Sequence, residues 1–267
     1  YYMRALNGLQ LSDYDGWESL DDYMRGLDGI TCQNAITHLP YAHLRTMAMG
    51  WGRAVPDDVQ MGEIVAGVER GMSEGAVGLS TGLDYITECF STTDELVEAC
   101  AAMAPQQGLY VTHVRYKKGT LEAVKEAVEI GQRADVPVHI SHFKGTTPQQ
   151  IDELLSYVDS VAVNEVDFSF DVYPYLPGST MLNYMLPYEV WEDGPLGVIS
   201  KLNDPAVRSR FARVIDRYEV DLDHIYIAWL PGRENARFIG QALGSYVKET
   251  GKAPVDALCD LLIDENL

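Results

Sequence analysis

Strand-length apolar runs alternate with amphipathic helices along most of this 267-residue chain, and that alternation constrains the fold more than any other feature. Runs over residues 34–39, 76–83, 109–114, 136–143, 168–173 and 225–230 have the length of buried strands. Apolar residues at helical spacing lie between them. Met61, Ile64, Val65, Val68 and Met72 form one stripe, and Ile151, Leu154, Leu155 and Val158 form another. Pro56 suits a first helical turn, and Thr92-Thr93-Asp94-Glu95 reads as a capping box. Further helices are expected over about 14–27, 120–133, 204–218, 236–249 and 254–263. The first five runs begin at residues 34, 76, 109, 136 and 168, each one strand, loop, helix and loop apart, and such units require a parallel sheet. The step to the sixth run is much longer. Its first part, about 175–222, is rich in Pro, Tyr, Leu and Met and reads as an insertion or lid over one end of the sheet.

Apolar residues at 46% and charged residues at 22% are the proportions of a chain that buries a sizeable core. Forty acidic against 20 basic side chains leave a net charge of -20, which repels phosphate backbones and anionic lipid. Neither nucleic acid nor a membrane is therefore an expected partner. Cys32, Cys89, Cys100 and Cys259 form no CxxC pair, which points to a reducing, cytoplasmic compartment. No 18-residue apolar run and no basic leader occur. The chain opens on Tyr1 and is read as starting inside a longer reading frame.

About six strands with alternating helices fit an open doubly wound sheet or part of an eight-stranded barrel. No GxGxxG follows a strand, so the barrel is preferred, and in a barrel the chemistry gathers at the carboxyl ends of the strands. Two of those ends match. The run at 109–115 closes on His113-Val114-Arg115 and the run at 136–144 on His142-Phe143-Lys144. Side chains two apart on a strand share a face, so each His is expected to project with its cation. Neighbouring strands lie about 4.8 Å apart, close enough for two imidazoles to share one metal. By the same alternation His139 falls on the opposite face and reads as a structural residue packed toward the helices. His38 and His43, at or just past the first strand, are lesser candidates. Lys144, Tyr175 and Ser179 are donors able to hold an anionic group, while Met181, Tyr184, Met185 and Leu186 suit either an apolar subsite or a core.

Four stretches in order carry a specific likeness: Glu74 to Tyr85 (EGAVGLSTGLDY), Tyr110 to Arg115, Val136 to Lys144, and Asp171 to Tyr175 with Gly178-Ser179-Thr180. Together they resemble the D-aminoacylases, the N-acyl-D-amino-acid deacylases of the amidohydrolase superfamily. The likeness continues through Asn203–Arg208 and Gly251–Leu258. It implies a metal-dependent-hydrolase (β/α)8 TIM-like barrel, with one or two zinc ions activating water against the amide of an N-acyl-D-amino acid. It implies His113 and His142 as zinc ligands and Lys144, Tyr175 and Ser179 as holders of the substrate carboxylate or carbonyl. Tyr85 and the Ser80–Leu83 loop would lie by the acyl or side-chain pocket, and Arg115 is included among the substrate-binding residues. Members of that family carry a His-x-His, a Cys ligand and a catalytic Asp in Ser-Asp-Gly, none of which is found here. The expectation is thus the central part of such a barrel, residues 1–267, with the catalytic Asp beyond Leu267 and little deacylase activity in this stretch alone. A cyclic amidase or dipeptidase of the same superfamily, and a non-catalytic barrel remnant, are the alternatives.

Overall fold

The computed structural model describes residues 16–217 and 220–266, which form two compact units, one within Asp15–Pro177 and one within Gly178–Leu267. The first holds the parallel sheet. Its elements are α1 (Leu20–Leu27), β1 (Leu39–Pro40), α2 (Tyr41–Met49), α3 (Asp58–Ser73), β2 (Gly78–Gly82), α4 (Thr93–Ala101), β3 (Leu109–His113), α5 (Thr120–Ala134), β4 (Val138–Ile140), α6 (Pro148–Tyr157) and β5 (Phe168–Phe170). The strands lie in chain order, β1-β2-β3-β4-β5, and every pairing is parallel. That order is what a helical crossover between successive parallel strands produces.

Helix starts follow side-chain capping. The Asp57 carboxylate accepts from the amides of Val59 and Gln60 and the Gln60 side chain answers the Asp57 amide, so α3 opens on a capping box one residue after Pro56. Ser19, Thr92 and Thr147 cap α1, α4 and α6 through the side-chain oxygen alone, accepting the amides of Asp22, Glu95 and Gln150, so the start at Thr92 is a simple cap rather than the expected capping box. Expected helix residues 14, 15 and 218 lie outside the described residues. Helix α2 was not foreseen. Its buried residues are Tyr41 and Arg45, and a charged side chain in the inward row hides the apolar stripe.

Register and burial define two faces of the sheet. Leu79, Tyr110, Val138 and Ile140 are buried against Ile64, Val68, Leu96, Val124, Ile130 and Leu154 of the helices. Burying that layer removes large apolar side chains from water at about 1.5–3 kcal/mol each. The alternate residues, Ser80, Val111, His113, His139 and Ser169, stand on the other face.

The second unit is built from α7 (Gly194–Lys201), α8 (Pro205–Arg217), α9 (Leu243–Thr250) and α10 (Pro254–Asp264). Arg208 of α8 ties to Asp256 and Asp260 of α10 at 2.9 and 2.6 Å. Two expectations fail here. The run at 225–230 is not a sixth parallel strand: Tyr226 makes one antiparallel bridge with Ala242, and Ile227 exchanges backbone hydrogen bonds with Gly240 and Gln241. The helix expected over 236–249 consequently begins only at Leu243, because the preceding residues serve that bridge and Gly240 takes φ +84°.

Candidate functional site

Four strand ends of the first unit deliver polar side chains to one place. His113 closes β3, in register with Gly82 at the end of β2, and the absence of a side chain at Gly82 leaves room for the ring of Tyr85, 5.0 Å from that of His113. His142 lies two residues past β4 with φ +44°, a left-handed conformation uncommon for a residue with a side chain. The turn is held because Asp171, just past β5, accepts the His142 amide at 2.7 Å. As a result His113 Nδ1 and His142 Nε2 face each other at 3.0 Å.

The surroundings of each ring differ. His113 Nε2 meets the buried carboxylate of Asp84 at 3.1 Å, and Asp84 also accepts from the Lys117 amide at 3.3 Å. The Tyr116 hydroxyl donates to the His142 carbonyl at 3.1 Å and lies 3.4 Å from His142 Nδ1, as does Lys144 Nζ. Lys144 also sits over the Tyr116 ring at 4.3 Å and within 5.9 Å of Tyr173. Burial, joined by the neighbouring Lys144 and His113, pushes His142 down to about 4. Burial also lowers His113 against the opposing pull of Asp84, and takes Lys117 down to about 8. Both imidazoles are therefore neutral at pH 7, the state in which a ring nitrogen can ligate a metal.

Of the residues singled out in the sequence, the structure brings His113, His142, Lys144 and Tyr85 together. Tyr175 is exposed on the chain that leaves β5, stacked on Tyr173 at 5.5 Å. Ser179 is exposed and lies in the second unit. Arg115 departs from expectation. The strand ends at His113, so the two-residue alternation does not carry onward; the Arg115 guanidinium is buried behind the site, bound to Glu126 at 2.9 Å and to the carbonyls of Cys89 and Ser91. His139 departs in the opposite sense. It shares the face of Val111 and His113, with Nδ1 2.8 Å from Ser169 Oγ and Nε2 3.0 Å from Asp171 Oδ2. The left-handed turn at His142 breaks the parity that had set the two histidines on opposite faces. Asp84, Asp171 and Tyr116 were not singled out. Their one signal was position, since each follows the end of a strand.

This arrangement has the donors to begin a metal site. Two nitrogens on a tetrahedral zinc lie about 3.3 Å apart, given Zn–N bonds of about 2.0–2.1 Å, so a pair 3.0 Å apart needs only slight widening. Among the described residues, no group of three or more His, Cys, Asp or Glu side chains is placed to hold a metal.

No family model matches the sequence. A D-aminoacylase of Alcaligenes xylosoxydans xylosoxydans is 32% identical over 182 residues, 65% of this chain and 37% of that protein. The chain is related to the D-aminoacylases. An N-acyl-D-aspartate deacylase from the same organism is 28% identical over 60% of this chain and 33% of its own length, so the chain spans little more than a third of these relatives. A crystal structure of D-aminoacylase, described as defining a novel subset of amidohydrolases, superposes on 92% of this chain and 45% of its own with a TM-score of 0.71 at 25% identity. The five parallel strands are accordingly part of an amidohydrolase barrel that is incomplete in this chain. D-aminoacylase has also been solved in a study of its binuclear metal centre, and an N-acyl-D-glutamate deacylase of Bordetella bronchiseptica, 23% identical with a TM-score of 0.73, holds zinc and a phosphonate inhibitor. The last of these supports the fold alone. No helix of the described residues is long and apolar enough to cross a membrane.

Proposed function

We propose that this chain carries the zinc-binding histidine pair of an N-acyl-D-amino-acid deacylase, hydrolysing the amide of its substrate to a carboxylate and a free D-amino acid. The observation that carries this reading is the 3.0 Å approach of His113 Nδ1 to His142 Nε2 at adjacent strand ends, in a chain related to the D-aminoacylases. His113 and His142 would hold one zinc ion, or one of two. The chemistry that zinc supplies at such a site is activation of water near neutral pH and polarisation of a carbonyl.

The chain's own residues bind and orient. Lys144 presents an ammonium group beside His142, suited to a substrate carboxylate, with Tyr116 beneath it and Tyr173 nearby to set its direction. The Tyr85 ring lies 5.0 Å from that of His113. Tyr175 and Ser179 remain proposed substrate contacts, whereas Arg115 has its guanidinium committed elsewhere. The proton that reaches the leaving amine is assigned to a carboxylate outside the residues described. In this reading residues 1–267 belong to one barrel domain with an insertion at about 175–222, and four free cysteines, three of them buried, accord with a cytoplasmic protein.

Zinc titration of the chain, paired with hydrolysis assays of N-acetyl-D-amino acids, dihydropyrimidines and dipeptides by the complete protein, tests the proposal. Stoichiometric zinc that is lost in His113→Ala, with turnover confined to N-acyl-D-amino acids, is the expected result. Absence of stoichiometric zinc, or turnover of the cyclic amides instead, would overturn it.

A further inference from the structure

We infer that Asp84 is a positioning residue that fixes which nitrogen of His113 faces the metal, an inference that rests on the function proposed above. The Asp84 side chain is fully buried, one oxygen 3.1 Å from His113 Nε2 and the other accepting the Lys117 amide at 3.3 Å. Asp84 acts as a negative charge on the Lys117 and Lys144 ammonium groups, and an ionised carboxylate only accepts hydrogen bonds, while a neutral imidazole carries a single N–H. The proton of His113 therefore lies on Nε2, and Nδ1 presents its lone pair to His142 Nε2 at 3.0 Å. The Tyr85 ring at 5.0 Å and the Tyr116 ring at 5.1 Å, the latter nearly perpendicular, keep the imidazole plane from turning away. A consistent set of protons follows through the cluster. With His113 Nδ1 accepting, His142 donates from Nε2 and its Nδ1 accepts from Lys144 Nζ, while the single Tyr116 hydroxyl proton goes to the His142 carbonyl. A metal that takes the place of the proton between the two rings finds both nitrogens already aimed.

A carboxylate behind a ligating histidine fixes tautomer and ring orientation, and loss of such a partner typically weakens metal binding by about 10–100-fold. Asp84→Asn sharpens the test because it is isosteric. The Lys117 amide claims the carbonyl oxygen of the new amide, which leaves the NH2 group facing His113 Nε2. That nitrogen must then accept, and the proton is driven onto Nδ1, the nitrogen needed by the metal.

The experiment uses the full chain as wild type, Asp84→Asn and Asp84→Ala, with folding checked by circular dichroism. Zinc affinity is read by competition with a chromophoric chelator, and the His113 tautomer by long-range nitrogen–proton NMR correlation without metal. Expected are an Nε2–H tautomer in the wild type, an Nδ1–H tautomer in Asp84→Asn, and zinc affinity at least 10-fold weaker in both variants. Wild-type zinc binding that Asp84→Asn leaves within twofold, or a tautomer that does not change, overturns the inference. If the wild type binds no zinc, the metal reading falls by itself, and the tautomer measurement still decides whether Asp84 directs the ring.

Discussion

Glu88 offers a direct test of the electrostatics behind the site. It lies in the turn after β2, almost wholly buried, with Oε2 accepting the Gly82 amide at 3.0 Å and Oε1 without a hydrogen-bond partner among the described residues. Two guanidinium groups are near, yet both are engaged: Arg45 with Glu95 at 2.7 Å and Arg115 with Glu126 at 2.9 Å. Burial consequently outweighs the amides of Gly82 and Ala42 and both arginines, and it pushes the carboxyl from its ordinary 4.5 up to about 7. Between those two values the folded protein keeps a proton that the unfolded chain has released. Stability is thus fully present below pH 4.5 and falls as pH rises through 7, by about 3 kcal/mol at about 1.4 kcal/mol per tenfold. Glu88→Gln removes this dependence, so its stability relative to wild type should rise by about 3 kcal/mol between pH 4 and pH 8. The measurement is the urea concentration at which β2 and β3 peptides lose hydrogen-exchange protection, taken for both proteins at each pH. A constant difference across that range would refute the argument that burial dominates at Glu88.

Three further outcomes follow from the geometry. Arg115→Met should lower stability by about 3–5 kcal/mol, because Glu126 and buried carbonyls lose their partner, while KM of the complete enzyme stays within twofold; a large KM rise with unchanged stability would restore Arg115 to the substrate site. Asp171→Ala should release the His142 turn and weaken zinc binding by about tenfold, as read by isothermal titration. Gly78→Ala places a Cβ 2.0 Å from the Leu109 carbonyl oxygen across the β2–β3 pair and should cost about 1–3 kcal/mol, seen as a lower urea midpoint.

The alternation of runs and stripes made β2 to β5 legible, since short apolar runs between helices have few other folds open to them, whereas of the first run, 34–39, only Leu39 enters a strand, the two-residue β1. The sixth run looked equally apolar. Its failure lies in its partner, the antiparallel segment around Gln241, which no local pattern announces. Helix α2 was hidden by buried Arg45, whose charge is answered by Glu95, a residue 50 positions away. At the site, the equivalence of two strand ends was enough to single out His113 and His142. Arg115 and His139 were misplaced because strict alternation was carried past the last hydrogen-bonded residues of β3 and β4. Asp84 and Asp171 were passed over because a carboxylate after a strand looks like an ordinary turn residue until its partners are known.

The left-handed backbone of His142 also bears on how such a protein can be improved. Glycine or asparagine would relieve a conformational cost of about 1–2 kcal/mol at that position, so a search for thermal stability alone would favour replacing the histidine. Either replacement removes the imidazole that meets His113. On the function proposed above, position 142 is therefore a place where stability and activity are opposed in one residue, and stabilising substitutions in this chain are better sought away from the exits of its strands.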